Sequence, residues 1–312
     1  MRKLLLRVAL LLGAVGLLGG LGLWLGLRRG YVDAFYARFA SPPAGSLVLG
    51  TSRAAQGIKP SVLAARLGGR YQGPWLNYAF TLAESPYGPG YLSSIRRKLA
   101  PGTRHGLFVL AVDPWSLSMP QKALLTKPLA YPEANSMVSQ LRSVSQNPNL
   151  DYLAHYLHKP FYQLLLNADT AHVIERLHPD GWLEIALPPP TADPALLGRR
   201  TGEKLATYRP LAASSRLAAA RLLSLWQTVE FLKQHGQVVL VRLPTGPAMA
   251  ALEQEYQPGF DQLMEQLASR QGIAYLNYLD QPYATNDGNH LHRAAAEQFS
   301  QRLAGDIARL GR

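Results

Sequence analysis

Three residues that together can turn a hydroxyl into a nucleophile stand at opposite ends of this chain: Ser52 near the start, Asp287 and His290 near the end. A serine hydroxyl is weak at its own pKa and needs an adjacent base. His290 can be that base, taking the serine proton during attack and returning it to the leaving group. Asp287 lies three residues earlier, in Asp287-Gly-Asn-His290, where it can orient the imidazole and stabilise its charged form. His292 is a second imidazole in the same stretch, but the Asp-x-x-His spacing sets the pair Asp287 and His290 on one turn. The chemistry implied is nucleophilic catalysis, with a covalent intermediate formed on the Ser52 oxygen. Plainer uses exist for each residue. Ser52 can be a cap serine ahead of a helix, and Asp287 can close an Asx turn before Gly288. Arg53, Asn77 and Asp113 are expected to line the site: Arg53 as a contact for an anionic substrate, Asn77 and Asp113 because they end strands. The other histidines show no His-Glu-x-x-His spacing or neighbouring carboxylate pattern, so neither metal nor cofactor is expected.

The elements that must position these residues follow a regular alternation. The run Leu47-Val48-Leu49 is too short for a buried helix and breaks at Gly50 into small polar residues, then into a helix-like segment after Pro60. That places Ser52 at the carboxyl end of a strand, where ligands bind in open α/β sheets. Apolar runs predict strands at 46–50, 75–80, 106–112, 237–243 and 273–279, and periodic segments predict helices at 60–68, 87–99, 214–235, 248–270 and 292–310. Near-continuous apolar strands separated by helices imply a parallel sheet covered on both faces. The expected fold is therefore α/β, with a flavodoxin-like, doubly wound, five-stranded parallel sheet. A proline-rich insertion at 114–211 interrupts it and is expected to be mostly helical, with helices near 134–145 and 149–167. An excursion of that length is too long for an ordinary loop and predicts a cap over the strand ends.

Ahead of the domain lies the clearest physical signal. Residues 8–27 form an uncharged stretch of Val, Ala, Leu, Gly and Trp, about the 20 residues a helix needs to cross a bilayer. A secretory signal would have a shorter apolar core and a small-residue cleavage site, so an uncleaved anchor over residues 1–30 is expected, followed by a juxtamembrane linker at 31–45 and the α/β domain at 46–312. Arg2, Lys3 and Arg7 before the stretch, against Arg28 and Arg29 after it, place the bulk of the chain outside the cytoplasm, on the periplasmic side. The chain of 312 residues contains no cysteine, which removes disulfides and thiolate chemistry. Its formal net charge of +12 is scattered, and no nucleic-acid motif accompanies it, so no nucleic-acid partner is expected. Attraction of the juxtamembrane cations to anionic lipid is the expected use of part of that charge.

Gly50-Thr51-Ser52 near the start and Asp287-x-x-His290 near the end resemble the SGNH (GDSL-like) hydrolase superfamily, over roughly 46–310 without the insertion. Leu49-Gly-Thr-Ser-Arg53 is similar to membrane-anchored bacterial members, some linked to acylation of cell-surface polymers. The resemblance implies serine-dependent ester hydrolysis or O-acyl transfer on an acylated envelope or surface glycan. It also implies an oxyanion hole built from the nucleophile's backbone amide, a glycine after the second strand and an asparagine after the third. This chain departs from that pattern. Asn77-Tyr78-Ala79-Phe80-Thr81 follows the second strand, and Asp113 follows the third, where an ionised carboxylate would repel an oxyanion. The departures raise an alternative, a catalytically silent SGNH-like module that binds polysaccharide in a cell-envelope assembly.

Overall fold

The structure is a computed structural model that describes residues 1–29, 32–126, 131–158 and 174–310. Five parallel strands form its centre: β1 (Ser46–Leu49), β2 (Trp75–Asn77), β3 (Gly106–Ala111), β8 (Gly236–Arg242) and β9 (Ala274–Asn277), ordered β2-β1-β3-β8-β9. Two antiparallel pairs lie outside this sheet, β4 (Ser118–Pro120) with β7 (Ser215–Leu217) and β5 (Glu175–Leu177) with β6 (Leu183–Ile185). Each of the five expected strands is present, and the protein is α/β with the flavodoxin-like strand order.

Strand periodicity explains why the apolar runs are continuous. Leu47, Leu49, Phe108, Leu110, Val238 and Leu240 point to one face, while Val48, Leu107, Val109, Ala111, Val239 and Val241 point to the other. Both sets are buried because helices cover both faces. On the first face lie the helices Tyr36–Ala40, Pro89–Lys98, Ala219–Lys233 and Phe260–Gln271. On the second lie Ser52–Gly57, Pro60–Leu67 and Arg293–Arg309, the last burying Ala295, Phe299, Leu303 and Ile307 at helical spacing. Pro60 and Pro89 open their helices, where a missing amide hydrogen costs nothing. Gly272, at φ 64°, ends Phe260–Gln271 in the left-handed conformation that glycine adopts without strain. The single helix expected at 248–270 is two, Pro247–Tyr256 and Phe260–Gln271, divided at Gln257-Pro-Gly259.

Two expectations change. The linker expected at 31–45 is part of the packed domain: Val32, Tyr36, Phe39, Ala40 and Ala44 are buried on the first face, with Phe39 stacked on Phe80 at 4.9 Å. Arg38 is fully buried as well, its Nε donating to the carbonyls of Asn77 and Gly181. A segment that fills a gap in a core is not free to act as a tether. The insertion, in turn, carries its longest described helix at Pro194–Ser214, where its sequence predicts none, while the helix expected near 134–145 is short, Met137–Gln140. The one expected at 149–167 begins as Leu150–Tyr156, and its part from 159 onward lies outside the described residues. One N-terminal helix, Arg2–Arg29, is long and apolar enough to span a membrane over Arg2–Gly22, and its leucines from Leu4 to Leu21 are exposed.

Candidate active site

Ser52 comes to its position through Gly50. The chain leaves β1 at Gly50 with φ 136°, and a side chain there would sit 2.8 Å from Cβ of Ala111 on the neighbouring strand. Only a residue without Cβ tolerates both the angle and the contact. The turn delivers Ser52 as the first residue of the helix Ser52–Gly57, at the carboxyl end of β1. Sheet order reverses at β1, since β2 lies on one side and β3 on the other. Crevices form at such switch points. The loop after β9 arrives there from the far end of the chain. Gly246 N donates to the Gly288 carbonyl at 2.8 Å, fixing the loop against the segment after β8. Gly288 has φ 75°, and a Cβ there would lie 2.8 Å from Thr201 of the insertion helix.

The structure brings Ser52, His290 and Asp287 into one hydrogen-bonded chain. His290 Nε2 is 2.8 Å from Ser52 Oγ, and His290 Nδ1 is 2.9 Å from Asp287 Oδ2. A carboxylate only accepts, so Nδ1 carries the imidazole proton and Nε2 presents its lone pair to the serine hydroxyl. Asp287 Oδ1 also accepts from the backbone amides of Asn289 and His290, which locks the turn. Burial alone would push the Asp287 carboxyl up, but the hydrogen bonds it accepts from His290 and the charge of Lys204, 3.3 Å away, hold it well below the usual carboxylate range. An ionised acid, a neutral base and a hydroxyl in line can pass the serine proton to His290 and hold the resulting imidazolium. His292, the second imidazole of the loop, instead caps the helix Arg293–Arg309, accepting from Ala294 N at 3.3 Å.

The other three expected site residues are committed inward. Asn77 is fully buried and spends both amide hydrogens, each at 2.8 Å, on the carbonyls of Ala54 and Ile58. It thereby ties β2 to the helix that carries Ser52. The Asp113 carboxylate accepts from Ser116 N at 2.8 Å and so caps the turn Trp115–Leu117; burial raises its pKa, partly offset by the charge of Arg53. Arg53 is buried, ion-paired with Glu253, and donates through Nε and Nη2 to Asn289 Oδ1 at 2.9 and 2.6 Å. Glu253 is itself fully buried and accepts from Trp115 Nε1 at 2.6 Å and Arg242 Nη2 at 3.0 Å. Burial would raise its pKa, and the two arginines overcome that and lower it.

Three residues that sequence reasoning did not single out belong to this neighbourhood. Asn289 lies between the two triad positions of its own loop, and that adjacency was its only sequence signal. Lys204 and Tyr208 stand on the helix Pro194–Ser214, and nothing in their local sequence points to the site. A cleft of about 450 Å³ opens beside the triad, lined by Asp287, His290, Asn286, Arg200, Glu203 and Lys204 among others. Trp115 stacks on Tyr256 at 4.8 Å, edge-on to Tyr208, so this aromatic serves packing behind the site. Among the described residues no group of three or more His, Asp or Glu side chains is placed to hold a metal ion.

Fold and site together define an α/β protein with a Ser-His-Asp arrangement at its topological switch point. No family model matches the chain, and no curated protein matches it. Among solved structures it is similar to Est24, a carbohydrate acetylesterase from Sinorhizobium meliloti, at 12% identity and a TM-score of 0.37, covering 85% of this chain and 99% of that one.

Proposed function

We propose that this protein is a serine-dependent ester hydrolase or O-acyltransferase of the SGNH type, anchored in the membrane by its N-terminal helix. Ser52 is the nucleophile, His290 the general base and Asp287 the residue that orients it. The observation that carries this reading is the unbroken chain from Ser52 Oγ to His290 Nε2, 2.8 Å apart across 238 positions of sequence, and on from His290 Nδ1 to Asp287 at 2.9 Å. The acyl group passes from the substrate to Ser52, and water or a sugar hydroxyl then removes it. An acylated envelope or surface glycan is the substrate class. A cleft bordered by Arg200, Glu203, Lys204 and Asn286 suits a hydroxyl-rich ligand, and the charge pattern at the anchor favours a domain on the periplasmic side.

A second reading, a catalytically silent module that binds polysaccharide, is favoured by one observation: the donors the superfamily uses after the second and third strands are not on offer. The amides of Asn77, Tyr78, Ala79 and Phe80 are all hydrogen-bonded within the fold, and Asp113 contributes a carboxylate. Intact-mass spectrometry of the full-length chain in detergent, after exposure to a fluorophosphonate, separates the two. A single adduct on wild type, absent in Ser52→Ala and slowed in His290→Ala, is expected of the enzyme. An unmodified wild-type chain that melts cooperatively would leave the binding module standing.

A further inference from the structure

We infer that Asn289, held in orientation by Arg53, donates a hydrogen bond to the ester's carbonyl oxygen as that oxygen becomes an oxyanion on Ser52, with Tyr208 as the adjoining donor. The inference rests on the serine-nucleophile reading above and supplies the donors that Asn77 and Asp113 do not.

The orientation of Asn289 follows from its partner. A guanidinium has donors only, and two of Arg53's, Nε at 2.9 Å and Nη2 at 2.6 Å, converge on one atom of the Asn289 amide. That atom is the oxygen, so the NH₂ group faces the other way, toward His290 Nε2 at 3.2 Å and Tyr208 Oη at 3.5 Å. The single lone pair of Nε2 is engaged by the Ser52 hydroxyl at 2.8 Å. The Asn289 hydrogen beside it therefore has no good acceptor in the free protein, and the residue is 1% exposed. A buried donor left in this state costs free energy until an acceptor arrives, and a carbonyl oxygen bonded through its carbon to Ser52 Oγ would be that acceptor. Tyr208, half-buried, stands beside it: its oxygen accepts from Asn289 at 3.5 Å, which leaves its own proton free to turn toward the same acceptor. Burial raises its pKa to about 12, so it keeps that proton near neutral pH.

In the step itself Ser52 Oγ bonds to the ester carbon, its proton passes to His290 Nε2, and the carbonyl electron pair moves to oxygen. There it accepts from Asn289 Nδ2 and Tyr208 Oη. Collapse re-forms the carbonyl, breaks the bond to the alcohol and returns the proton from Nε2 to the departing oxygen. Arg53 touches none of the reacting atoms. It is a positioning residue, anchored by Glu253, Arg242 and Trp115 behind it.

The test is steady-state hydrolysis of p-nitrophenyl acetate by the full-length chain in detergent. Asn289→Ala is expected to lower kcat by about 10²- to 10³-fold with KM little changed. Asn289→Asp keeps the shape, replaces donors by acceptors, and is expected to lose at least as much while melting like wild type. Arg53→Lys should lower kcat in the wild-type background and have little further effect in Asn289→Ala, a non-additivity that a purely structural arginine would not produce. If Ser52→Ala abolishes turnover but Asn289→Ala and Asn289→Asp stay within threefold of wild type, the inference is wrong and the triad stands. If wild type neither hydrolyses the ester nor takes up a fluorophosphonate at Ser52, both fail.

Discussion

Asp287 holds the imidazole of His290 through one oxygen and the loop backbone through the other, so an amide in its place would keep the shape and lose the tautomer. An asparagine can present its NH₂ group to Nδ1, which moves the imidazole proton to Nε2 and removes the lone pair from Ser52. Asp287→Asn is therefore expected to leave the fold intact and slow acylation of Ser52 by about 10⁴-fold, the size of the effect where an acid of this kind fixes a tautomer. The rate of fluorophosphonate uptake measures it; a loss of less than about tenfold would assign Asp287 to loop structure alone.

The helix Pro89–Lys98 shows how one side chain joins elements the sheet does not. Lys98 ends that helix fully buried, its Nζ donating to the carbonyls of Ser41 at 2.6 Å and Val144 at 2.5 Å, one before β1 and one in the insertion. Burial lowers its pKa to about 7, against an ordinary lysine near 10.4. Between these values the unfolded chain binds a proton that the folded chain does not, so unfolding free energy rises with pH through this window and the lysine's contribution is flat below it. Denaturant titrations at pH 7, 8 and 9 are expected to show that rise, at most about 1.4 kcal/mol per pH unit from one group, and Lys98→Met is expected to flatten it. Parallel pH dependences in the two proteins would mean that Lys98 keeps its proton in the fold.

For the molecule as a whole, the boundary between anchor and domain falls earlier than breaker residues imply. Pro42-Pro43 mark a turn, yet Val32, Tyr36, Arg38 and Phe39 before it are core. Removing a fully buried phenylalanine costs about 3–5 kcal/mol, a large part of the roughly 5–15 kcal/mol that holds a domain together. A chain beginning at Val32 should melt cooperatively, whereas one beginning at Ser41 should have lost its cooperative transition; circular dichroism of the two decides. Equal melting would show that the segment adds nothing to the domain. The helix Arg2–Arg29, about 42 Å long at 1.5 Å per residue, exceeds the roughly 30 Å of a hydrocarbon core, and its leucines from Leu4 to Leu21 are exposed.

What could be read from the residues was what repeats locally. Five apolar runs mark strands because a strand buried on both faces needs no polar alternation, and the apolar N-terminal stretch marks a membrane-spanning candidate because its length matches a bilayer. Ser52 and Asp287-x-x-His290 were legible as candidates because each motif lies on one short turn. That His290 Nε2 reaches Ser52 Oγ was decided only by the tertiary fold, whose parallel strands bring the loops after β1 and β9 to the same carboxyl end of the sheet. The fates of Arg53 and Asn77 were likewise hidden, since a polar side chain after a strand looks the same whether it meets a substrate or a buried carbonyl. Lys204 and Tyr208 carried no signal at all: their helix lies within an insertion, and only packing sets which of its residues face the triad. Periodicity is a property of neighbours along the chain, whereas a site is made by neighbours across it.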